Sequence, residues 1–201
     1  MAVVLADLVA DLERALDSGD PERIISVRRT LGDGFPGTEE GAEANYRLGL
    51  AIVLSGANLE EGVDRLRRAA KAKVPRWTPH ARTSLGLVLF QQGKLQQAVF
   101  ELRRAASGPP TIAAAQALGY IGLVLDQSGK DQEARRARKD QLDALVKLSS
   151  DQDPEVSSVA CFMLGMERKH DGDRAGACAL LQKALDGGGL DDGQAALAQK
   201  V

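Results

Sequence analysis

No stretch of this chain alternates apolar and polar residues with a period of two for long enough to make a strand. What recurs instead is a longer pattern. A Leu-Gly or Ile-Gly pair is followed seven residues after its glycine by another Gly and five residues later by Ala: Gly86, Gly93 and Ala98; Gly122, Gly129 and Ala134; Gly165, Gly172 and Ala177. A fourth copy, Leu48-Gly49 with Gly56 and Gly62, fits if one residue is dropped from its turn. Self-similarity at a spacing of about 36 residues marks a stacked repeat, in which each unit buries its apolar face only against its neighbours.

Capping signals predict where the helices start. Asp20-Pro21, Thr78-Pro79 and Asp153-Pro154 each put a capping side chain before a proline at the first helical position, and Thr38 and Thr111 are further caps. The reading is a helical pair over 3–16 and 21–31, a Gly/Pro-rich turn at 32–37, and four hairpins: 39–55 with 58–72, 79–92 with 94–107, 111–128 with 130–148, and 154–170 with 173–186. Gly187-Gly188-Gly189 stops the last helix and loosens the exit, and a short terminal helix within 191–200, with Leu190 ahead of it and Leu197 on it, is the natural cap. The organisation is then 1–37, a helical pair and turn; 38–189, the hairpins; and 190–201, a cap or tail.

These residues resemble the tetratricopeptide repeat family, whose hairpins read Trp-x₂-Leu-Gly-x₂-Tyr, Ala-x₃-Phe and a final Pro. The second hairpin carries Leu85-Gly86, Leu89, Ala98, Leu102, Ala105 and Pro110; the first carries Leu48-Gly49, Ile52, Gly62, Leu66, Ala69 and Pro75; the fourth carries Leu164-Gly165, Ala177, Leu181 and Ala184. The Trp position holds Asn45, Arg82, Leu118 and Cys161, while Arg138 and Arg168 stand where the family has large aromatics. The resemblance implies an all-α, right-handed solenoid and a non-catalytic scaffold or adaptor. It also implies a concave groove lined by Tyr46, Leu50, Val53, Thr83, Leu87, Phe90, Gly119, Leu123, Phe162 and Met166. That face is mostly apolar, which suits a partner helix or hydrophobic peptide. The alternatives are that the protein's own terminal helix, or another copy through the amphipathic 3–16 segment, fills it.

Composition narrows the partners little. In 201 residues, 26 Lys and Arg stand against 28 Asp and Glu, so no global field favours nucleic acid or an anionic membrane. Arg67-Arg68, Arg103-Arg104, Arg135-Arg136 and Arg138-Lys139 form a basic ladder able to attract phosphates or an acidic partner. Glu60, Glu61, Asp64, Glu101 and Glu133 in the same helices favour ordinary helix-face pairing instead. The opening segment lacks a basic leader and is broken by Asp7 and Asp11, and no run is long enough to span a bilayer, so a cytoplasmic protein without membrane insertion is expected.

Candidate chemistry is sparse. His170-Asp171-Gly172-Asp173 reads as a hairpin turn rather than a metal site, and His80 as a groove or surface residue rather than a base, since no nucleophile and orienting acid accompany it. Cys161 and Cys178 read as buried small apolar residues, and Ser128-Gly129-Lys130-Asp131 lacks the features of a phosphate loop. No enzyme activity, cofactor or metal is expected. The fourth hairpin, with its polar 149–153 linker and Arg168 in place of a core aromatic, is expected to fray first, and 79–107 to be the best protected.

Overall fold

Most of the described helices begin where a side chain takes up free N–H groups of the first turn, as at Asp20, Thr38, Asn58, Thr111, Asp153, Asp173 and Asp191. The computed structural model describes residues 2–200, and Met1 and Val201, the ends of the expected N-terminal pair and C-terminal cap, lie outside them. Two compact units divide the chain after Ala105. The first is built from α1 (Ala2–Ser18), α2 (Pro21–Gly34), α3 (Glu39–Ser55), α4 (Leu59–Lys71), α5 (Thr78–Gln91) and α6 (Leu95–Ala106). The second is built from α7 (Ile112–Gln127), α8 (Asp131–Leu148), α9 (Pro154–His170), α10 (Arg174–Asp186) and α11 (Asp192–Ala198). Among the described residues there is no strand, and the fold is all-α, as the repeat pattern predicts.

Asp20, Thr38, Thr111 and Asp153 all cap as expected, each accepting from backbone N–H groups of the following turn. Thr78 does not. It lies inside α5, whose N-cap is Trp77 with no side-chain cap bond, and its hydroxyl donates across to Ala69 O at 3.4 Å. Asp191 and Gln194 close a reciprocal capping box at the start of α11. The cap helix is anchored differently from expectation: Ala198 is buried, whereas Leu197 is 51% exposed.

The repeat glycines permit close helix approach. A Cβ on Gly86 would meet Leu102 Cγ at 2.6 Å, and one on Gly165 would meet Leu181 Cγ at 2.7 Å. Leu102 and Leu181 both occur sixteen residues after their glycine, and so do the neighbours of the other two copies, Arg138 beside Gly122 and Arg65 beside Gly49. The hairpins of Gly86, Gly122 and Gly165 therefore share one interhelical register, each glycine facing the carbonyl of an alanine twelve residues on, while that of Gly49 is shifted by one. In the first, Gly49 also abuts Gly62 O, matching the copy with its one-residue insertion.

Consecutive hairpins in a unit are tied by a bond that the consensus does not describe. The residue at the repeat's Trp position reaches back to the end of the preceding helix. Asn45 donates to Gly32 O at 2.8 Å, Arg82 to Ala70 O at 2.9 Å, and the Cys161 thiol approaches Ser149 O at 3.9 Å. Each takes up a carbonyl that a helix C-terminus leaves without an intrahelical partner. Two buried arginines reinforce the first unit: Arg65 grips Asp33 through both oxygens and donates to Asn45 at 3.2 Å, and Arg82 pairs with Glu101 at 2.9 Å.

Several sequence expectations need correction. Arg168 is no core substitute; its side chain is 60% exposed and pairs with Asp173, which also caps α10. Arg138 lays its stem on Gly122 and pairs its guanidinium with Asp126. Cys161 is buried, but Cys178 is exposed, because it falls on the solvent side of α10. The triple glycine is a seam rather than a loose exit. Gly188 has φ +69°, while Cβ atoms on Gly187 and Gly189 would overlap Ser158 Oγ and Glu155 Cα, so the chain lies directly on α9. No described helix is long and apolar enough to cross a membrane.

Candidate functional site

Spacing places the candidate residues of the first unit on two helix faces. Tyr46, Leu50 and Val53 follow one another at i, i+4 and i+7 on α3, and Thr83, Leu87 and Phe90 do so on α5, which approaches α3. Tyr46, Leu50, Leu87 and Phe90 are all half-buried, leaving apolar surface partly open to solvent. Val53 is half-buried too, but its Cγ2 borders Gly62, so it packs into its own hairpin. Thr83 is buried, with its hydroxyl donating to Pro79 O at 2.9 Å.

The remaining candidates belong to the second unit. Phe162 and Met166 are half-buried on α9, and Leu123 is 49% exposed on α7. Gly119 faces the buried Gln141 of α8 across a distance that leaves no room for a side chain.

At the start of α5 the structure assembles a cluster that the consensus alignment passes over. Tyr46, Trp77 and His80 form a triangle of rings with centroids 5.7, 5.8 and 6.0 Å apart. The guanidinium groups of Arg47 and Arg76 lie over Trp77 at 5.1 and 5.2 Å from its ring centroid, within cation–π range. Tyr46 also packs against the alanine seam of Ala69, Ala70 and Ala81 between α4 and α5. Burial holds the Tyr46 hydroxyl above its ordinary pKa, opposed by a hydrogen bond with Ser84. Burial also holds His80 below its ordinary value, and the charges of Arg47 and Arg76 push the same way. His80 is thus kept neutral, a ring to pack against rather than a charge. The one signal in the sequence was the single Trp of the chain, Trp77, immediately before the Thr78-Pro79 pair.

Among the described residues no group of three or more His, Cys, Asp or Glu side chains gathers as a metal ion would require. The arginine ladder is engaged locally: Arg68 pairs with Asp64 and Asp33, Lys139 with Asp143, and Arg104 lies over Phe100 at 5.4 Å.

No protein-family model matches the chain. No curated protein matches it either. Solved structures do. The pilF protein of Pseudomonas aeruginosa is 14% identical with a TM-score of 0.54, over 94% of this chain and 79% of that one. A MamA protein is 20% identical with a TM-score of 0.53, over 93% of each chain. MamA from Desulfovibrio magneticus RS-1, residue 41 to the end, is 19% identical with a TM-score of 0.51, over 90% of this chain and 93% of that one. At these identities the likeness speaks for the fold alone, which is a tetratricopeptide-like all-α helical repeat.

Proposed function

We propose that this chain is a non-catalytic scaffold or adaptor that holds a helix or apolar peptide of a partner protein against the face of α3 and α5. Tyr46, Leu50, Leu87 and Phe90 are the anchors, and Leu123, Phe162 and Met166 offer apolar surface in the second unit. The observation that carries the reading is the pair of helical stripes, half-buried and apolar, ending at the Tyr46–Trp77–His80 cluster. An amphipathic helix presents side chains at the same i, i+4 and i+7 intervals. Aromatic groups fixed by their neighbours supply contact area at little entropic cost.

Affinity purification of the full chain, followed by Leu87→Ala and Phe90→Ala, tests this. Partners should be lost on both variants while the folded state is kept; retention of every partner on both refutes it. Self-association through α1 is less well supported, because Leu5, Leu8, Val9 and Leu12 already pack against Val27, Leu31 and Ala44 of the same chain. Nucleic-acid binding through the ladder has less support again, given the local pairing of Arg68 and Lys139. A steep salt dependence in a gel shift, lost on neutralising Arg67, Arg103 and Arg135, would favour it.

A further inference from the structure

A second opening in the first unit has a different character. It is a cavity of about 390 Å³ between α1, α2 and α3, within the size range of sites that hold ligand groups. Its floor is apolar: Leu31 and Ala44 are buried, Val9 and Leu12 half-buried, and Leu16 is 48% exposed at one edge. In this apolar setting lies Arg28. Its side chain makes no hydrogen bond or ion pair among the described residues, and its Nε is buried without a partner.

An arginine in this position is anomalous. Arg28 is half-buried, with its Nε shut off from water and unpartnered, whereas the more deeply buried Arg65 and Arg82 are matched by Asp33 and Glu101. Arg28 has Glu43 within electrostatic reach, but the Glu43 carboxylate bonds Arg47 Nε at 2.6 Å. Burial and the Arg47 charge both disfavour the Arg28 cation, which makes an incoming anion more favourable there than at an exposed arginine. Two further carboxylates border the cavity, Glu13 and Glu40. Neither forms an ion pair among the described residues. The cavity therefore offers apolar surface, one cation without a hydrogen-bonded partner and a negative rim.

We propose that this cavity is a binding site separate from the α3–α5 face, and that it takes a partner-protein segment in which an acidic side chain for Arg28 is set among apolar residues, with a basic flank for Glu13 and Glu40. The Arg28 fork would hold the carboxylate through two parallel N–H···O bonds. Val9, Leu12 and Leu16 would receive the apolar side chains. This inference goes beyond the α3–α5 reading and shares none of its anchor residues.

The test is selection from a random twelve-residue peptide library displayed on phage, with the full-length protein as bait. Enriched peptides are then measured by fluorescence anisotropy against the wild type and its variants. The expected consensus has an acid among apolar residues, with affinity falling about tenfold or more on Arg28→Met, partial retention on Arg28→Lys, and no change on Phe90→Ala. Replacing the peptide's acid by its amide should weaken binding to the wild-type protein equally, a readout that does not depend on the variants folding. Absence of enrichment, a consensus without an acid, or equal affinity for Arg28→Met overturns the proposal. Loss on Phe90→Ala with Arg28→Met silent would leave the α3–α5 face standing and this site refuted; the converse supports this site and leaves the α3–α5 face to its own partner-retention test. Concentration-dependent self-association in light scattering, abolished by Arg28→Met, would make a second copy the occupant and overturn the foreign partner.

Discussion

Replacing Gly86 by alanine should destabilise the protein and replacing Gly122 should not, although both occupy the same repeat position. At Gly86 the new methyl would lie 2.6 Å from Leu102 Cγ and 2.8 Å from its Cδ2, and Leu102 has no exposed surface into which to retreat. Overpacking of this kind costs about 1–3 kcal/mol, against which alanine recovers about 1 kcal/mol of helix propensity, so the net effect is a loss of about 1 kcal/mol. At Gly122 the neighbour is Arg138 Cγ at 3.0 Å, on a side chain 46% exposed. That stem can swing into solvent, at the cost of an exposed ion pair worth about 0–1 kcal/mol. The propensity gain of about 1 kcal/mol then leaves Gly122→Ala neutral or slightly stabilised. Urea unfolding followed by circular dichroism measures both variants in the full chain. Hydrogen exchange over α5–α6 and α7–α8 localises each effect. Equal destabilisation of the two variants, or stabilisation by Gly86→Ala, would show that the nature of the residue sixteen positions on does not govern the packing.

Gly165→Ala should behave like Gly86→Ala, since Leu181 stands in the place of Leu102, and its thermal midpoint should fall by about 2–4 °C per kcal/mol lost. His80 has a folded pKa below its unfolded one, so its contribution is complete above about pH 6.5 and is lost as pH falls through that value toward the folded one. His80→Gln should flatten the fall in stability between pH 7 and 5 measured by urea titration, and an unchanged slope would contradict the burial argument. Native protein should show one fast thiol toward a maleimide, Cys178, with Cys161 reacting only on unfolding; Cys178→Ser should remove the fast phase. Hydrogen exchange in α9–α10 should be as slow as in α5–α6, because Gly165–Leu181 reproduces Gly86–Leu102 and Gly187 and Gly189 lie against α9.

The repeat was legible because it is written in glycine and alanine, where close approach permits few other residues. Helix starts were legible for the same kind of reason at Asp20, Thr38, Thr111 and Asp153, where the cap is local. Thr78 failed because its hydroxyl had a tertiary alternative, Ala69 O, that no local pattern reports. Arg168 and Cys178 were misread because alignment to a consensus fixes a column, whereas exposure depends on how the helix is rotated against its neighbours. Of the proposed site, the stripe residues Tyr46, Leu50, Leu87 and Phe90 came from the resemblance, which carries the family's groove positions around each repeat glycine onto this chain. Trp77, His80 and the arginines over the ring could not be found that way, since their meeting requires the loop between α4 and α5 to return across α3. Arg28 was invisible for a simpler reason: an unpaired charge is defined by what is missing around it.

The back-reaching bonds of Asn45, Arg82 and Cys161 bear on how such a chain can be rearranged. Each joint uses different chemistry, an amide, a guanidinium and a thiol, addressed to the last carbonyls of one particular preceding helix. A hairpin excised and reinserted elsewhere would carry its donor to an acceptor placed for another side chain. Gene duplication or engineered shuffling of this protein should therefore succeed when the cut falls within a hairpin turn, so that each helix end travels with the residue that closes it. Cuts made at the boundaries that a repeat alignment suggests should give chains whose helices form but whose neighbours fail to lock.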